Sequence, residues 1–171
     1  MDKRLFRPDA ADRGEKLGAR VIDSPWPGYA KQKNLAAERA ENDWILSLDA
    51  DESLSEALEA EIWQLKKSGP QYDAYTMPRL ARYLGRWIRH SGWYPDRKVR
   101  LYHRDKAQWV GDFVHESVKV DGSLGHMEGN LLHFYLRVAG RTHEDDGSLH
   151  DAGGRADSWH PDKSHVGASS L

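Results

Sequence analysis

Three carboxylates close a short apolar run, Asp43-Trp44-Ile45-Leu46-Ser47-Leu48-Asp49-Ala50-Asp51-Glu52. The apolar part reads as a buried strand. Acids at the exit of a core strand are costly unless something positive meets them. Carboxylate oxygens of this kind suit Mg²⁺ or Mn²⁺, and in open α/β sheets ligands bind beyond the carboxyl ends of the strands. Asp49 and Asp51 are therefore placed for a divalent ion and the phosphates it carries. A local reading competes: Ser53 with Glu56 makes a capping box, and acids suit a helix N-terminus.

A second group is basic. Lys31-Gln32-Lys33-Asn34 lies in the first turn of a helix expected over Tyr29 to Ala40. Cations there oppose the helix dipole, and an anion such as a diphosphate would compensate them; solvated surface lysines are the plainer alternative. A third group, Leu80 to Asp96, interleaves arginines, aromatics and glycines. Aromatic faces stack on sugars or bases and arginines pair with phosphates, although a twisted hairpin whose aromatics cover a sheet has the same composition. In a fourth, His115-Glu116 follows an apolar run, as a general base and its neighbour would. Neighbours in a strand point to opposite faces, so the two do not both enter one site; an exposed polar pair is the alternative. His133 ends its own apolar run as Asp49 does.

The elements that must position these groups follow from pattern. Glu15 to Gly18 closes a helix, Ala19 to Asp23 reads as a strand, and Ser24-Pro25-Trp26-Pro27-Gly28 is a loop. Leu54, Leu58, Ile62 and Leu65 recur at helical spacing up to the stop at Gly69-Pro70. Strands are expected over Asp73 to Arg79 and Arg97 to His103. Two more, Ser117 to Val120 and Asn130 to Phe134, are expected around the Asp121-Gly122 turn. Strand, helix, strand, helix, strand argues for an α/β architecture with a mainly parallel sheet.

Composition narrows the classes. At 171 residues the length fits one domain, and a net charge of −2 implies no broad nucleic-acid footprint. With no cysteine, disulfides and thiolate metal sites are excluded. No apolar run is long enough to span a bilayer and Met1 to Asp12 lacks a signal-peptide core, so a cytoplasmic location is expected. Peripheral contact with the cytoplasmic face of the inner membrane stays open. The segment after Tyr135 is rich in Gly, Asp, Ser and His and is expected to be disordered.

Several segments together resemble one family. Gly28-Tyr29-Ala30-Lys31-Gln32-Lys33-Asn34, the Asp43 to Glu52 run, Gly92-Trp93-Tyr94-Pro95-Asp96 with Val99-Arg100-Leu101, and Val114-His115-Glu116 look like a family 2 glycosyltransferase. The closest subgroup adds sugars to the lipopolysaccharide core and includes β-1,4-glucosyltransferases. The resemblance covers roughly Ala19 to Phe134. It implies a GT-A, Rossmann-like mixed but mainly parallel sheet flanked by helices, incomplete on its N-terminal side. It divides the chain into a leader over 1–14, a partial glycosyltransferase domain over 15–135 and a disordered tail over 136–171. It implies a nucleotide-sugar donor, UDP-glucose foremost, and a glycolipid or oligosaccharide acceptor. Asp49 and Asp51 would be the DXD pair holding Mg²⁺ or Mn²⁺, with His133 as third ligand and Lys31 and Lys33 at the donor. Glu116, with Asp112 as second choice, would be the base of an inverting single displacement. Arg79, Arg86, Trp93 and Tyr94 would face the acceptor.

The departures carry expectations too. The family's first strand, with its Thr-Tyr-Asn-Glu-like motif, and its nucleotide-holding second strand have no counterpart here. The last segment does not resemble the family's helical C-terminal region. An N-terminally truncated, C-terminally altered member from a disrupted reading frame is expected. Inactive remnant and metal-dependent phosphohydrolase are the rival readings.

Overall fold

In a computed structural model the chain divides into two compact units. The larger, which begins at Ile22, carries the groups of interest. The structure describes residues 14–111 and 116–135. Asp112 and His115, the 1–13 leader and the tail from 136 lie outside the described residues.

Among the described residues, two longer helices and nine strands are built on these patterns, after a short helical stretch at residues 14–16. Helix α1 (Tyr29–Glu38) starts after Gly28, whose φ of 109° only glycine adopts readily. Strand β1 (Trp44–Leu46) and strand β2 (Glu52–Leu54) flank the acidic turn. Helix α2 (Glu56–Ser68) is capped by the Ser55 side chain, which accepts from the Leu58 amide. Glu56 and Glu59 sit in its first turn and Lys66 and Lys67 in its last, both favourable to the dipole. Gly69, at φ 82°, ends it. Strands β3 (Ala74–Tyr83), β4 (Arg86–Ile88), β5 (Asp96–His103), β6 (Ala107–Val110), β7 (Ser117–Val120), β8 (Leu124–His126) and β9 (Leu131–Phe134) follow.

The main sheet runs β1-β5-β3-β9-β2, with β4 and β8 also paired to β3; β6 and β7 form a separate two-stranded sheet. The expected mainly parallel sheet is corrected here. Within the main sheet, β1–β5, β3–β5, β3–β4 and β2–β9 are antiparallel, and only β3–β8 and β3–β9 are parallel. The connections explain it: β3 turns into β4 through Leu84-Gly85 alone, and a parallel return needs a crossover of a dozen residues or more. The architecture is mixed α/β with a mostly antiparallel sheet.

Three smaller expectations also change. Residues 19–23 form no strand, and Val21 stays exposed, so the burial that would favour one is missing. Ser53 does not cap α2; it lies in β2 opposite Leu132, and Ser55 takes the cap. Strands β7 and β9 do not pair around Asp121-Gly122: β7 pairs β6, and β8 intervenes and joins β3. Within β3, Pro78 lies where the ladder on one side is interrupted between Thr76–His126 and Arg79–Leu131, so its missing N–H costs less.

Alternate residues of β3 and β5 face opposite layers. Tyr75, Met77 and Leu101 join Leu58 and Ile62 of α2, with Met127 and Leu131, on one face. Ala74 and Tyr102 join Ala37 of α1, Ile45, Ala107 and Trp109 on the other. Full burial of Leu58 or Ile62 contributes about 1.5–3 kcal/mol each. Gly129 seats the start of α2: a Cβ there would overlap the backbone N and Cα of Leu58. Gly129→Ala is expected to destabilise the fold by about 1–3 kcal/mol, read as a lowered denaturant midpoint with the slope unchanged. An unchanged midpoint would show that α2 is not pressed against this loop.

Candidate functional site

Helix α1 is fastened to β6 through one side chain. The Asn34 amide donates to the Trp109 carbonyl and accepts from the Trp109 amide, both at 2.9 Å. This sets Lys33 above the Trp109 indole, with its Nζ 4.1 Å from the ring centroid. The Arg100 guanidinium lies 5.2 Å from the centroid of the same indole. The indole N–H donates to the Tyr102 hydroxyl at 3.1 Å, which fixes the ring plane. Burial raises the Tyr102 pKa, so it stays a neutral acceptor.

The acidic turn closes over these two cations. Lys33 Nζ lies 2.9 Å from Asp49 and 3.2 Å from Glu116. Arg100 donates to Asp49 at 2.9 Å and to Glu52 at 2.7 Å. The Asp49 amide donates to the other Glu52 oxygen, and the Glu52 amide donates to the Asp49 carbonyl. The Arg100 and Glu52 side chains are only 7% and 1% exposed. Burial pushes the Asp49 carboxyl up, but the Lys33 hydrogen bond and the Arg100 and Lys33 charges outweigh it and hold it below the usual carboxylate range.

The register of β2 against β9 builds the second half. Glu52 lies opposite His133, and the Phe134 amide donates to the Asp51 carbonyl. His133 Nε2 thereby reaches Asp51 at 3.2 Å, while its Nδ1 is buried without a hydrogen-bond partner.

The structure thus gathers Lys33, Asp49 and Glu116 in one ionic cluster and Asp51 with His133 in a second. It does not bring all the expected residues together. Lys31 is exposed. Arg79 is held by Asp96 at 2.6 Å, and the Tyr94 hydroxyl donates to Asn130. Arg86 is exposed opposite Tyr83. Trp93 packs with Tyr83 and Tyr135, each ring pair 5.9 Å apart, and Tyr135 lies 4.5 Å from the His133 ring. Arg100, Glu52, Trp109 and Asn34 are the residues that sequence reasoning gave no role. Arg100 and Glu52 stood inside the quoted motifs, but nothing local announces that they meet.

Among the described residues no three His, Cys, Asp or Glu side chains converge as metal ligands. Asp49 is turned into Lys33 and Arg100, so it does not join Asp51 and His133 as the DXD reading expected. Asp51 offers one carboxylate with His133 at 3.2 Å, and a carboxylate is the kind of group through which Mg²⁺ binds beside phosphates and water.

Comparisons with known proteins bear on this arrangement. No protein-family model matches the chain. An uncharacterized glycosyltransferase of Rickettsia typhi is 36% identical over 115 residues, 64% of this chain and 39% of the relative. One from Rickettsia conorii is also 36% identical over 115 residues, 41% of its length. A lipopolysaccharide core biosynthesis glycosyltransferase of Rhizobium meliloti is 31% identical over 117 residues, covering 67% of this chain and 43% of the relative. The chain is a relative of bacterial glycosyltransferase enzymes, and it spans about two fifths of their length.

Two outcomes check the ionic geometry. Glu52→Ala leaves a buried guanidinium with one carboxylate and is expected to cost about 3 kcal/mol or more, measured by chemical unfolding. The second concerns Asp96. Burial raises its pKa, but Lys98 and Arg79 lower it further, so the net shift is downward. A depressed carboxylate contributes stability above its unfolded pKa and loses it as pH falls through the folded one. Asp96→Asn should therefore shrink the drop in urea midpoint between pH 6 and pH 3; an equal drop in wild type and variant would refute the pairing.

Proposed function

We propose that this chain is the donor-site portion of a GT-A-type glycosyltransferase. It would transfer a hexose from a nucleotide-sugar, UDP-glucose foremost, to a lipopolysaccharide-core or related glycan acceptor. The observation that carries this reading is the meeting of Lys33, Asp49 and Glu116 beside the Asp51–His133 pair. Lys33, with Arg100 also on Asp49, offers positive charge, Glu116 a carboxylate and Asp51 a further carboxylate beside His133, which supports the reading. The relatives' names support the class, and one of them supports the acceptor.

The chemistry assigned to each group is simple. The acceptor hydroxyl oxygen attacks the anomeric carbon, and the bond from that carbon to the diphosphate breaks. The electron pair leaves with the diphosphate, and the hydroxyl proton passes to Glu116. Inversion follows from the single in-line displacement. Lys33 and Arg100 supply fixed positive charge where the leaving group gains negative charge. A Mg²⁺ or Mn²⁺ ion held by Asp51 and His133 would add Lewis-acid stabilisation of that group. Asn34 and Trp109 keep Lys33 in place.

One observation favours a second reading, a partial domain that does not turn over. Asp49 is already neutralised by Lys33 and Arg100. Calorimetric titration with UDP-glucose, with and without Mn²⁺, separates the two. The transferase reading expects metal-dependent binding, weakened about tenfold or more in Asp51→Ala. A folded chain that binds no UDP-sugar supports the silent domain. Phosphate release without sugar transfer would point to a phosphohydrolase instead.

A further inference from the structure

The geometry points to the β3–β4 hairpin as a surface that docks on an anionic lipid bilayer. Residues 79–95 contain Arg79, Arg82, Arg86, Arg89 and His90 but no Asp or Glu. Arg79 is engaged by Asp96. Arg82, Arg86 and Arg89 are exposed around the turn. At the tip, Leu84 takes a φ of 48° and Gly85 one of 81°, a tight left-handed turn of the kind that closes a two-residue hairpin. Leu84 is 64% exposed there. Trp87 and Trp93 behind it are 37% and 42% exposed, and Tyr83 and Tyr135 are exposed beside them.

Strand pairing distributes these groups over both faces. Arg82 lies opposite Trp87, and Tyr83 lies opposite Arg86. Each face of the hairpin thus carries one arginine beside one aromatic ring, and the Arg82 guanidinium sits 5.7 Å from the Trp87 centroid. An apolar tip, then a band of Trp and Tyr, then cations of one sign is the sequence of groups that matches a bilayer interface. Leucine enters the acyl boundary, aromatic rings sit at headgroup level, and arginines reach lipid phosphates. A soluble anionic polymer would engage the arginines but leave Leu84 in water. A membrane surface engages both, which selects it. No helix among the described residues is long and apolar enough to cross a membrane.

Sedimentation of the full chain with vesicles tests this. Binding is expected to phosphatidylcholine vesicles containing phosphatidylglycerol, and not to phosphatidylcholine alone, and it should weaken with salt. Leu84→Ser and the double variant Arg86→Glu/Arg89→Glu should each lose about fivefold or more in vesicle affinity with circular dichroism unchanged. A folded wild type that ignores anionic vesicles overturns the assignment. So does equal binding by both variants. Binding lost in the arginine variant but kept in Leu84→Ser identifies an anionic-polymer site and also overturns it.

Discussion

The site depends on one buried cation. Arg100 lies in β5 with its guanidinium withdrawn from water, and the desolvation of such a charge is worth several kcal/mol. The structure answers it with Glu52, itself almost fully buried, and with Asp49. Those acids come from the turn between β1 and β2, which must therefore fold back across the sheet toward Arg100. The Trp109 ring beneath closes the space, and its Nε1–H is satisfied by Tyr102. Buried ion pairs are weak evidence for stability in general. Here the consequence is geometric: the acidic turn and β5, about fifty residues apart in sequence, are bound to one point, and a slip of either leaves a charge unpaired in a dry environment.

The second consequence is one of register. Strand β2 is only three residues long, yet it joins β9 with Glu52 opposite His133. Glu52 faces Arg100, so its neighbour Asp51 is left at the rim, where His133 arrives. A shift by one residue would exchange the faces of β9 and replace His133 by Leu132 or Phe134. The ion pair at Glu52 and the contact at His133 are thus two readings of the same strand alignment. The buried, unpartnered Nδ1 of His133 is the cost the structure carries at this point.

Much of the element order was legible from pattern. Helix α2 follows from the leucine spacing, its acidic start and Gly69. The end of α1's approach loop follows from Pro25, Pro27 and Gly28. The acid run, Lys33, Glu116 and His133 stood out because charged groups at the ends of apolar runs are costly unless something uses them. The pairing of strands was not legible, since alternation within a strand does not name its partner. The expected parallel sheet failed for that reason: βαβ order was read from the first elements and extended over β3 to β5, where the Leu84-Gly85 turn enforces an antiparallel β4 and β5 also returns antiparallel to β3. Arg100 was missed because its partners are 48 and 51 residues away along the chain. Only a fold can show that a guanidinium and a carboxylate at such separation share one dry pocket. Trp109 and Asn34 were missed for the same reason.

The cluster also separates into a fixed part and an exchangeable part. Glu52 and Arg100 are sealed, whereas Asp49 is 37% exposed and Lys33 16%. Asp49 belongs to both parts, with one carboxylate oxygen on the partly exposed Lys33 and the other on the buried Arg100. The pair with the more exposed members is the one whose separation costs least, so Lys33 can exchange its partner at lower cost than Arg100 can lose either carboxylate. Asp49 is therefore anchored from the dry side, and what stays adjustable in the cluster is the Lys33 ammonium between Asp49 and Glu116.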